Sequence, residues 1–285
     1  MNVYMSSRAD GAVCILGAPF DSTTSFRPGS RFWPGAIREA SYGLETYSPA
    51  LGSDLEDCSF MDMGDLELPF GDPNPALELI EGRVLDIYAR GKVPFLLGGE
   101  HLVSLGAIRA ASKIHPGLTV VHLDAHADLR DDYLGQKLSH ATVMKRVLEL
   151  LGPGSVRQTG VRSCTREEHP LAEELRSIPE NIALRIGARP CYLTCDLDVL
   201  DPSVLPGTGT PEPGGMSFAE LASVLASSMA RLNIVGMDVV ELAPNLDPTG
   251  VSAVVAAKVV RECLISLDRG LKEARDGGGA PGHGI

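Results

Sequence analysis

The segment HLDAHAD, residues 122–128, places acidic and imidazole side chains at every second position. In an extended segment, Asp124, His126 and Asp128 would project from the same face of the chain. Two carboxylates held this close beside an apolar run repel each other unless a cation lies between them. The spacing therefore predicts that these three side chains bind metal. The alternative for this segment taken alone is a solvated polar loop without a chemical role.

Two other apolar runs also end in residues that bind metals. FLLGGEH ends with His101, and YLTCDLD carries Asp196 and Asp198 with the same alternate spacing. The three segments offer four aspartates and two histidines, too few for two separate octahedral ions, so they predict two metals that share ligands. Oxygen-rich ligation with a little imidazole favours Mn²⁺ over Zn²⁺. His122, which lies inside its run, is predicted to be a packed, hydrogen-bonded histidine.

The elements that must position these residues alternate between strands and helices. Leu77, Ile80, Val84 and Ile87 recur at the spacing of one helix face. The predicted strands are AVCILG, SFMDMGD, VPFLLGGEH, LTVVHLD, VRQTGVR, CYLTCDLD and NIVGMDVVEL. Strands separated by helices predict an α/β domain with a mostly parallel sheet covered on both faces, and ligands collect beyond the carboxyl ends of such strands. We expect one domain, residues 1–273, followed by a disordered glycine-rich tail, residues 274–285.

Composition narrows the class of protein. The 285 residues carry 25 basic and 37 acidic side chains, a net charge of −12, which argues against nucleic-acid binding by phosphate neutralisation. We expect no membrane association, because no apolar run approaches the length of a membrane span. The six cysteines are scattered, mostly within apolar runs, and are predicted to be thiols in the reducing cytoplasm.

The motifs GGEH, DAHAD and TCDLDVLDPSVLPGTGTPEPGG resemble the three metal motifs of the ureohydrolase (arginase/agmatinase) family. GAPFDSTTSFRPGSRFWPGAIREAS resembles the N-terminal segment of that family, and GMDVVELAPNLD resembles its late strand. The resemblance extends from about residue 12 to about residue 268, and among the members it is strongest to bacterial agmatinases. It implies a three-layer α/β/α arginase-type fold with a mostly parallel, eight-stranded central sheet.

The resemblance also implies two Mn²⁺ ions per chain. One ion would take His101, Asp124, Asp128 and Asp196, and the other would take Asp124, His126, Asp196 and Asp198. Asp124 and Asp196 would then bridge the two ions. The implied reaction hydrolyses a guanidinium group to urea and an amine, and the implied assembly is a homotrimer or homohexamer.

Three further residues are assigned catalytic roles by the resemblance. Asp128 would relay a proton in addition to binding metal, and Glu241 in DVVEL would bind the guanidinium group as a bidentate partner. His140 in LSHAT matches a proton-shuttling histidine that glycine usually follows, whereas Ala141 follows here. The alternative for His140 is a histidine at the start of a helix, next to a Ser139 cap.

The substrate is predicted from the loop LRDDYLGQKLSH. Asp131 and Asp132 would favour a cationic substrate tail and repel a carboxylate, although Arg130 would do the opposite. Agmatine, which would yield putrescine and urea, fits best, and arginine fits less well. The alternatives are guanidinobutyrate or another guanidino acid, a non-catalytic family member, or a related amide hydrolase with a single zinc.

Overall fold

The computed structural model describes residues 3–276, and in this range seven strands form one parallel sheet. Its spatial order is β4-β1-β5-β9-β8-β6-β7. A separate antiparallel pair, β2 with β3, lies outside it. The strands are β1 (Val13–Ala18), β2 (Tyr47–Ser48), β3 (Ser53–Asp54), β4 (Phe60–Asp65), β5 (Val93–Gly98), β6 (Thr119–Leu123), β7 (Val156–Thr159), β8 (Pro190–Asp196) and β9 (Asn233–Val240).

The sheet confirms the predicted α/β architecture with a parallel central sheet but corrects the strand count. The resemblance implied eight strands, whereas seven are present in residues 3–276. The other two strands, β2 and β3, have two residues each and pair with each other in a separate sheet. All seven sheet strands correspond to runs that the hydrophobic pattern had identified.

Helices cover both faces of the sheet, as the alternation predicts. Helices α2 to α5 pack with one apolar cluster, and α1, α6, α7 and α8 pack with the other. Adjacent strand residues divide between them: Leu96 belongs to the first cluster and Leu97 to the second. The helices are α1 (Trp33–Ser41), α2 (Pro73–Ala89), α3 (Val103–Ile114), α4 (Val143–Leu151), α5 (His169–Leu175), α6 (Pro179–Ile186), α7 (Phe218–Arg231) and α8 (Val251–Asp276).

The predicted helix face is confirmed in α2. All four of its spaced apolar residues are buried, because they face α3 and the sheet: Leu77, Ile80, Val84 and Ile87. The helix begins where the Asp72 carboxylate accepts a hydrogen bond from the Asn74 amide, followed by Pro73 in the first turn. Local sequence therefore determines both where this helix starts and which side it buries.

Strand register brings four strand ends to the same level. Leu97, Val239, Cys195 and Leu123 form one row across β5, β9, β8 and β6. The residues that follow this row are Gly98, Val240, Asp196 and Asp124. The polar residues after each strand therefore emerge side by side at one edge of the sheet.

Near the C-terminus, the structure describes only the first residues of the predicted tail. Helix α8 continues to Asp276, three residues into the predicted tail, and residues 277–285 lie outside the described range.

Within residues 3–276, every helix is too short or too polar to cross a bilayer.

Candidate metal centre

The six predicted metal ligands lie together at or just beyond the ends of β5, β6 and β8. His101 follows β5 through the pair Gly98–Gly99, and a β-carbon on Gly99 would lie 1.9 Å from the carbonyl oxygen of Phe20. Only glycine permits that close approach of two backbones. The His126 side chain is 26% exposed, whereas the other five ligands are buried. The cluster therefore opens to solvent at His126.

His101 forms the centre of one half of the cluster. Its Nδ1 atom lies 2.9 Å from Asp124 Oδ2 and 3.3 Å from an oxygen of both Asp128 and Asp196. Nδ1 is buried, yet it makes no hydrogen bond of acceptable geometry to any residue in 3–276. A buried ring nitrogen that faces three carboxylates without bonding any of them is arranged to share a cation with them.

His126 forms the centre of the other half. Its Nδ1 atom lies 2.9 Å from Asp198 Oδ2 and 3.4 Å from Asp124 Oδ1. Asp124 thus directs one oxygen towards His101 and its other oxygen towards His126. This is the geometry that a bridging carboxylate requires. For Asp196, the other predicted bridge, Oδ2 faces His101, whereas Oδ1 accepts a hydrogen bond from the Asp198 amide.

Carboxylates outnumber basic side chains in the cluster. Burial and the charges of Asp198 and Asp124 raise the pKa of Asp196 well above its usual range. Burial lowers the pKa of His126, but Asp198 and Asp124 outweigh this effect and raise it to about 12. Across residues 3–276, no lysine or arginine forms an ion pair with the four aspartates of the site. Divalent metal would supply the missing positive charge.

The segment that carries three of the ligands follows β6 without continuing it as a regular strand. Strand β6 ends at Leu123, and the His126 amide donates to Asp124 Oδ1 at 2.5 Å. Asp128 has a φ of 54°, in the left-handed region. Beyond Leu123 the segment stays beside the chain that follows β7, where His126 and Ser163 form a parallel bridge. The three side chains converge on the cluster: Asp124 and Asp128 lie at His101, and His126 lies at Asp198.

His122, a buried residue of β6, is a packed and hydrogen-bonded histidine that contacts the Asp124 side chain. Its Nε2 atom lies 2.8 Å from Asp124 Oδ2, and its Nδ1 atom lies 2.9 Å from Gln158 Nε2. Gln158 Nε2 also donates to the Ala127 carbonyl, which fixes the orientation of the amide. His122 Nδ1 must therefore accept, so Nε2 carries the proton and donates it to Asp124. That tautomer leaves no lone pair on Nε2 for a metal.

Three residues on neighbouring strands continue this support across the sheet. Strand register places Gln158, His122, Thr194 and Asp238 in one line across β7, β6, β8 and β9, which we call the polar row. Thr194 donates to Asp238 Oδ1 at 2.6 Å, and His101 Nε2 lies 2.9 Å from Thr194 Oγ1. Because Thr194 donates its only hydroxyl proton to Asp238, Thr194 Oγ1 must accept from His101, so His101 Nε2 carries a proton and donates it. Nδ1 of the neutral ring then keeps its lone pair for a metal.

The sequence analysis did not identify Thr194 or Gln158. Thr194 has the same parity as Asp196 and Asp198 in TCDLD, a signal that could have identified it. Gln158 has no comparable signal, because its link to His122 depends on the pairing of β6 with β7.

Glu241 lies directly after β9, between the strands that carry the ligands. It is buried, and its Oε1 atom accepts a 2.7 Å hydrogen bond from the backbone amide of His101. Its φ of 67° is in the left-handed region, as is that of Asp128. Burial and the nearby Glu100 carboxylate raise the pKa of Glu241 well above its usual range. A buried carboxylate with one oxygen fixed is suited to bind a planar cation with the other.

His140 begins the short 3₁₀ helix His140–Thr142, after a Ser139 cap. Its Nε2 atom lies 2.9 Å from Ser25 Oγ, and its amide donates to Thr23 Oγ1 at 3.3 Å. Burial and the charges of His126 and His101 lower the pKa of His140 to about 4. Ala141 is not among the described non-glycine residues with positive φ, so alanine fits this turn without strain.

Asp131 and Asp132 lie away from this buried cluster, on the loop that precedes His140. The Asp131 side chain is 81% exposed and pairs with Lys145 at 3.2 Å. Asp132 accepts from the Gly135 amide in a turn. Both line a cavity of about 360 Å³. A second cavity of about 540 Å³, lined by Thr23, Ser25, Tyr133, Ser139 and Asp72 among others, lies next to His140.

Sequence comparison with known proteins identifies relatives of this chain. The sequence pattern of the arginase family matches residues 11–266. The agmatinase of Halalkalibacterium halodurans is 43% identical over 276 residues, 92% of this chain and 96% of that protein. The agmatinase of Bacillus subtilis is 44% identical over 279 residues, 93% of this chain and 96% of that protein.

A solved structure of a related protein has a similar fold. The agmatine ureohydrolase of Thermoplasma volcanium has a TM-score of 0.86 at 32% identity, covering 96% of each chain. Sequence and fold lead to the same family along almost the whole length. This chain belongs to the arginase family.

Proposed function

We propose that this protein is a manganese-dependent agmatinase that hydrolyses agmatine to putrescine and urea. The observation that carries the proposal is the arrangement around Asp124. Its two oxygens face the two histidines His101 and His126, and Glu241 contacts the same His101 through its backbone amide. A two-part metal site thus lies beside a buried carboxylate that suits a guanidinium group. The agmatinase relatives at 43–44% identity support the same substrate.

The metal ligands are proposed as the resemblance implied. One Mn²⁺ would be held by His101, Asp124, Asp128 and Asp196, and a second by Asp124, His126, Asp196 and Asp198. Bound manganese would supply Lewis acidity and a water that ionises near neutral pH. Oxygen ligands outnumber nitrogen ligands by four residues to two, which favours manganese over zinc.

Glu241 would orient the substrate. Its Oε1 atom is held by the His101 amide, and its Oε2 atom faces Gly209, where a β-carbon would lie 4.0 Å away. A guanidinium group paired with Glu241 would present its carbon to the space beside Asp124 and His126. Hydrolysis then adds the oxygen of water to that carbon and breaks its bond to the alkyl nitrogen. Both protons of water end on the departing nitrogen, which leaves as an ammonium group.

His140 and Asp128 would move those protons. The Asp128 carboxylate lies 3.3 Å from His101 Nδ1, at the buried side of the cluster. His140 lies on the open side, with Nε2 bonded to Ser25 and a low pKa that keeps the ring neutral at pH 7. A neutral imidazole can accept a proton from one side and release it on the other, so His140 is placed as the shuttle to the leaving nitrogen.

The tail of the substrate would lie outside the buried cluster. Asp131 and Asp132 are proposed to favour the ammonium group of agmatine over the carboxylate of arginine. Arg130, in the same loop, favours a carboxylate and keeps guanidinobutyrate as the competing substrate. The predicted trimer or hexamer and the cytoplasmic location are further parts of this proposal. All six cysteines are free thiols and five are buried, which suits a reducing compartment.

The proposal is tested by urea release from agmatine, arginine, guanidinobutyrate and guanidinopropionate in the presence of Mn²⁺. We expect kcat/KM for agmatine to exceed that for arginine by at least about a hundredfold, roughly 2.7 kcal/mol. Glu241→Gln should lower kcat/KM for every guanidine, because removing a buried charge partner costs about 2–5 kcal/mol. Glu180→Gln, at an exposed site on α6, is the matched control.

Other outcomes of this screen separate the alternatives. Urea release from guanidinobutyrate and not from agmatine would identify a guanidino-acid hydrolase. Absence of urea release from every guanidine, with two metals bound, would indicate a non-catalytic member. A single zinc in the fully active protein would support the amide-hydrolase alternative. Light scattering of the purified protein reports the oligomeric state.

A further inference from the structure

Glu100 is a buried carboxylate that the proposed mechanism does not use. It immediately precedes the metal ligand His101 and is fully buried. Across residues 3–276 it forms no ion pair with a lysine, arginine or histidine. A buried carboxylate without a cation costs several kcal/mol unless hydrogen bonds compensate. Its partners should therefore show what it does.

Among residues 3–276, every hydrogen bond to the Glu100 side chain comes from one segment, residues 20–25. Oε1 accepts from the Thr23 hydroxyl at 2.6 Å, and Oε2 accepts from the Thr24 hydroxyl at 3.0 Å. The Thr23 amide lies 3.2 and 3.1 Å from the two oxygens. The Glu100 amide also donates to the Phe20 carbonyl at 2.7 Å. With both oxygens used in this way, Glu100 fixes the segment and leaves no oxygen for a metal.

The same segment holds His140 at two points. Thr23 Oγ1 accepts a hydrogen bond from the His140 amide, and Ser25 Oγ lies 2.9 Å from His140 Nε2. The single hydroxyl proton of Thr23 is used on Glu100, so the lone pairs of Thr23 remain for the His140 amide. The carboxylate therefore sets the direction of both bonds. Glu100, Thr23 and His140 form one chain of contacts across residues far apart in sequence.

We propose that Glu100 is a positioning residue that holds segment 20–25 and, through it, places the His140 imidazole at the metal centre. This inference rests on the proposed function, since it gives His140 a part in the reaction. It does not depend on which guanidine is the substrate. A purely structural Glu100 would affect stability alone, whereas a positioning residue changes turnover through His140.

The first test is a double-mutant cycle between Glu100 and His140. Glu100→Ala should lower kcat by roughly a hundredfold, because misplacing a reacting group by about 1 Å costs that much. In the His140→Asn background the same change should lower kcat by less than about threefold, since the group to be positioned is already gone. KM and metal content should change little in each variant. Glu100→Gln, which keeps an acceptor and the volume, should restore most of the wild-type kcat.

The second test needs no substrate. Diethylpyrocarbonate modification of His140, followed by peptide mass spectrometry, should be several-fold faster in Glu100→Ala and in Thr23→Val than in the wild type. The exposed His169 gives the reference rate in the same sample. Thr249→Val is the matched control, because Thr249 also donates its hydroxyl to a carboxylate, that of the buried Asp247, in another loop. It should leave the His140 rate unchanged.

The two tests separate failure of this inference from failure of the proposed function. Equal loss of kcat from Glu100→Ala in both backgrounds, or an unchanged His140 rate in Thr23→Val, would overturn the positioning role. If the wild type hydrolysed no guanidine, the proposed function would fail, and the modification rates would still decide the coupling. If Glu100→Ala does not fold, Thr23→Val alone and combined with His140→Asn takes its place in both measurements.

Discussion

The metal end and the tail end of the candidate site are built differently. At the metal end, the polar groups are almost all buried and come from four adjacent strand ends, and the polar row supports them from below. At the tail end, Asp131 is 81% exposed and paired with Lys145, and Leu134 of the same loop is 89% exposed. The proposed chemistry therefore depends on residues held by the sheet, whereas the proposed selectivity for the substrate tail depends on an exposed loop.

This difference has an energetic side. A buried charge that loses its partner costs several kcal/mol, whereas an exposed ion pair contributes roughly 0–1 kcal/mol in water. Substitutions at the metal end should therefore have large effects that are shared by every guanidine substrate. Substitutions in the loop should have small effects that differ between substrates.

The largest effect is expected at the proposed bridges. Asp124→Asn and Asp196→Asn should each reduce the binding of both metals, because each residue is proposed to contact both ions. Urea release should fall below detection at micromolar Mn²⁺. Ions that bind only the folded state stabilise it, so Mn²⁺ should raise the Tm of the wild type and not that of either variant. Full occupancy of one metal in either variant, measured by elemental analysis, would contradict shared ligation.

His140→Asn should have the next largest effect. We expect a fall in kcat of roughly a hundredfold to ten-thousandfold, the usual contribution of a general acid–base group. Metal content and Tm should stay at the wild-type values, because His140 is not a proposed ligand. Normal turnover of agmatine by this variant would exclude the shuttle role.

Thr194→Val tests whether the polar row contributes to the metal end. It removes the hydroxyl that accepts from His101 Nε2, so Mn²⁺ affinity should fall about 10–100-fold. Affinity is measured by competition with a chelator. Thr119→Val is the control, since the buried Thr119 hydroxyl donates to the Pro190 carbonyl at the opposite end of the sheet. Equal affinities for the two variants would show that support from Thr194 is unimportant.

The smallest effect is expected in the loop. Changing Asp131 and Asp132 to Asn should lower kcat/KM for agmatine by at most about fivefold, because exposed charges are screened. The loss for guanidinobutyrate, whose tail is anionic, should be smaller still. Losses of equal size would show that this loop does not distinguish the tails. If the two losses are equal, Asp72→Asn should be measured next with both substrates, because Asp72 lines the cavity next to His140.

Much of the fold and of the metal site could be predicted because the signals are local. The apolar runs identified every strand of the sheet, and each ligand lies within five residues of a strand end. The left-handed backbone of Asp128 was not predictable, because nothing in the sequence marks that conformation. Gln158 and Glu100 were missed for a different reason: their roles arise from strand pairing and from a contact with residues 20–25, which are distant in sequence.

The polar row also bears on how the strands find their partners during folding. Its four side chains lie on the face of the sheet that α3 covers, where Ser104 Oγ is 3.4 Å from Thr194 Oγ1. The neighbouring residues along the strands point to the opposite, apolar face: Leu123, Cys195 and Val239. A shift of one residue in β6, β8 or β9 would move its polar side chain into that apolar layer and leave its hydrogen bonds unmade. Each unpaired group would cost about 1–3 kcal/mol. The polar row, which contacts the predicted metal ligands, thus also discriminates against misregistered sheets.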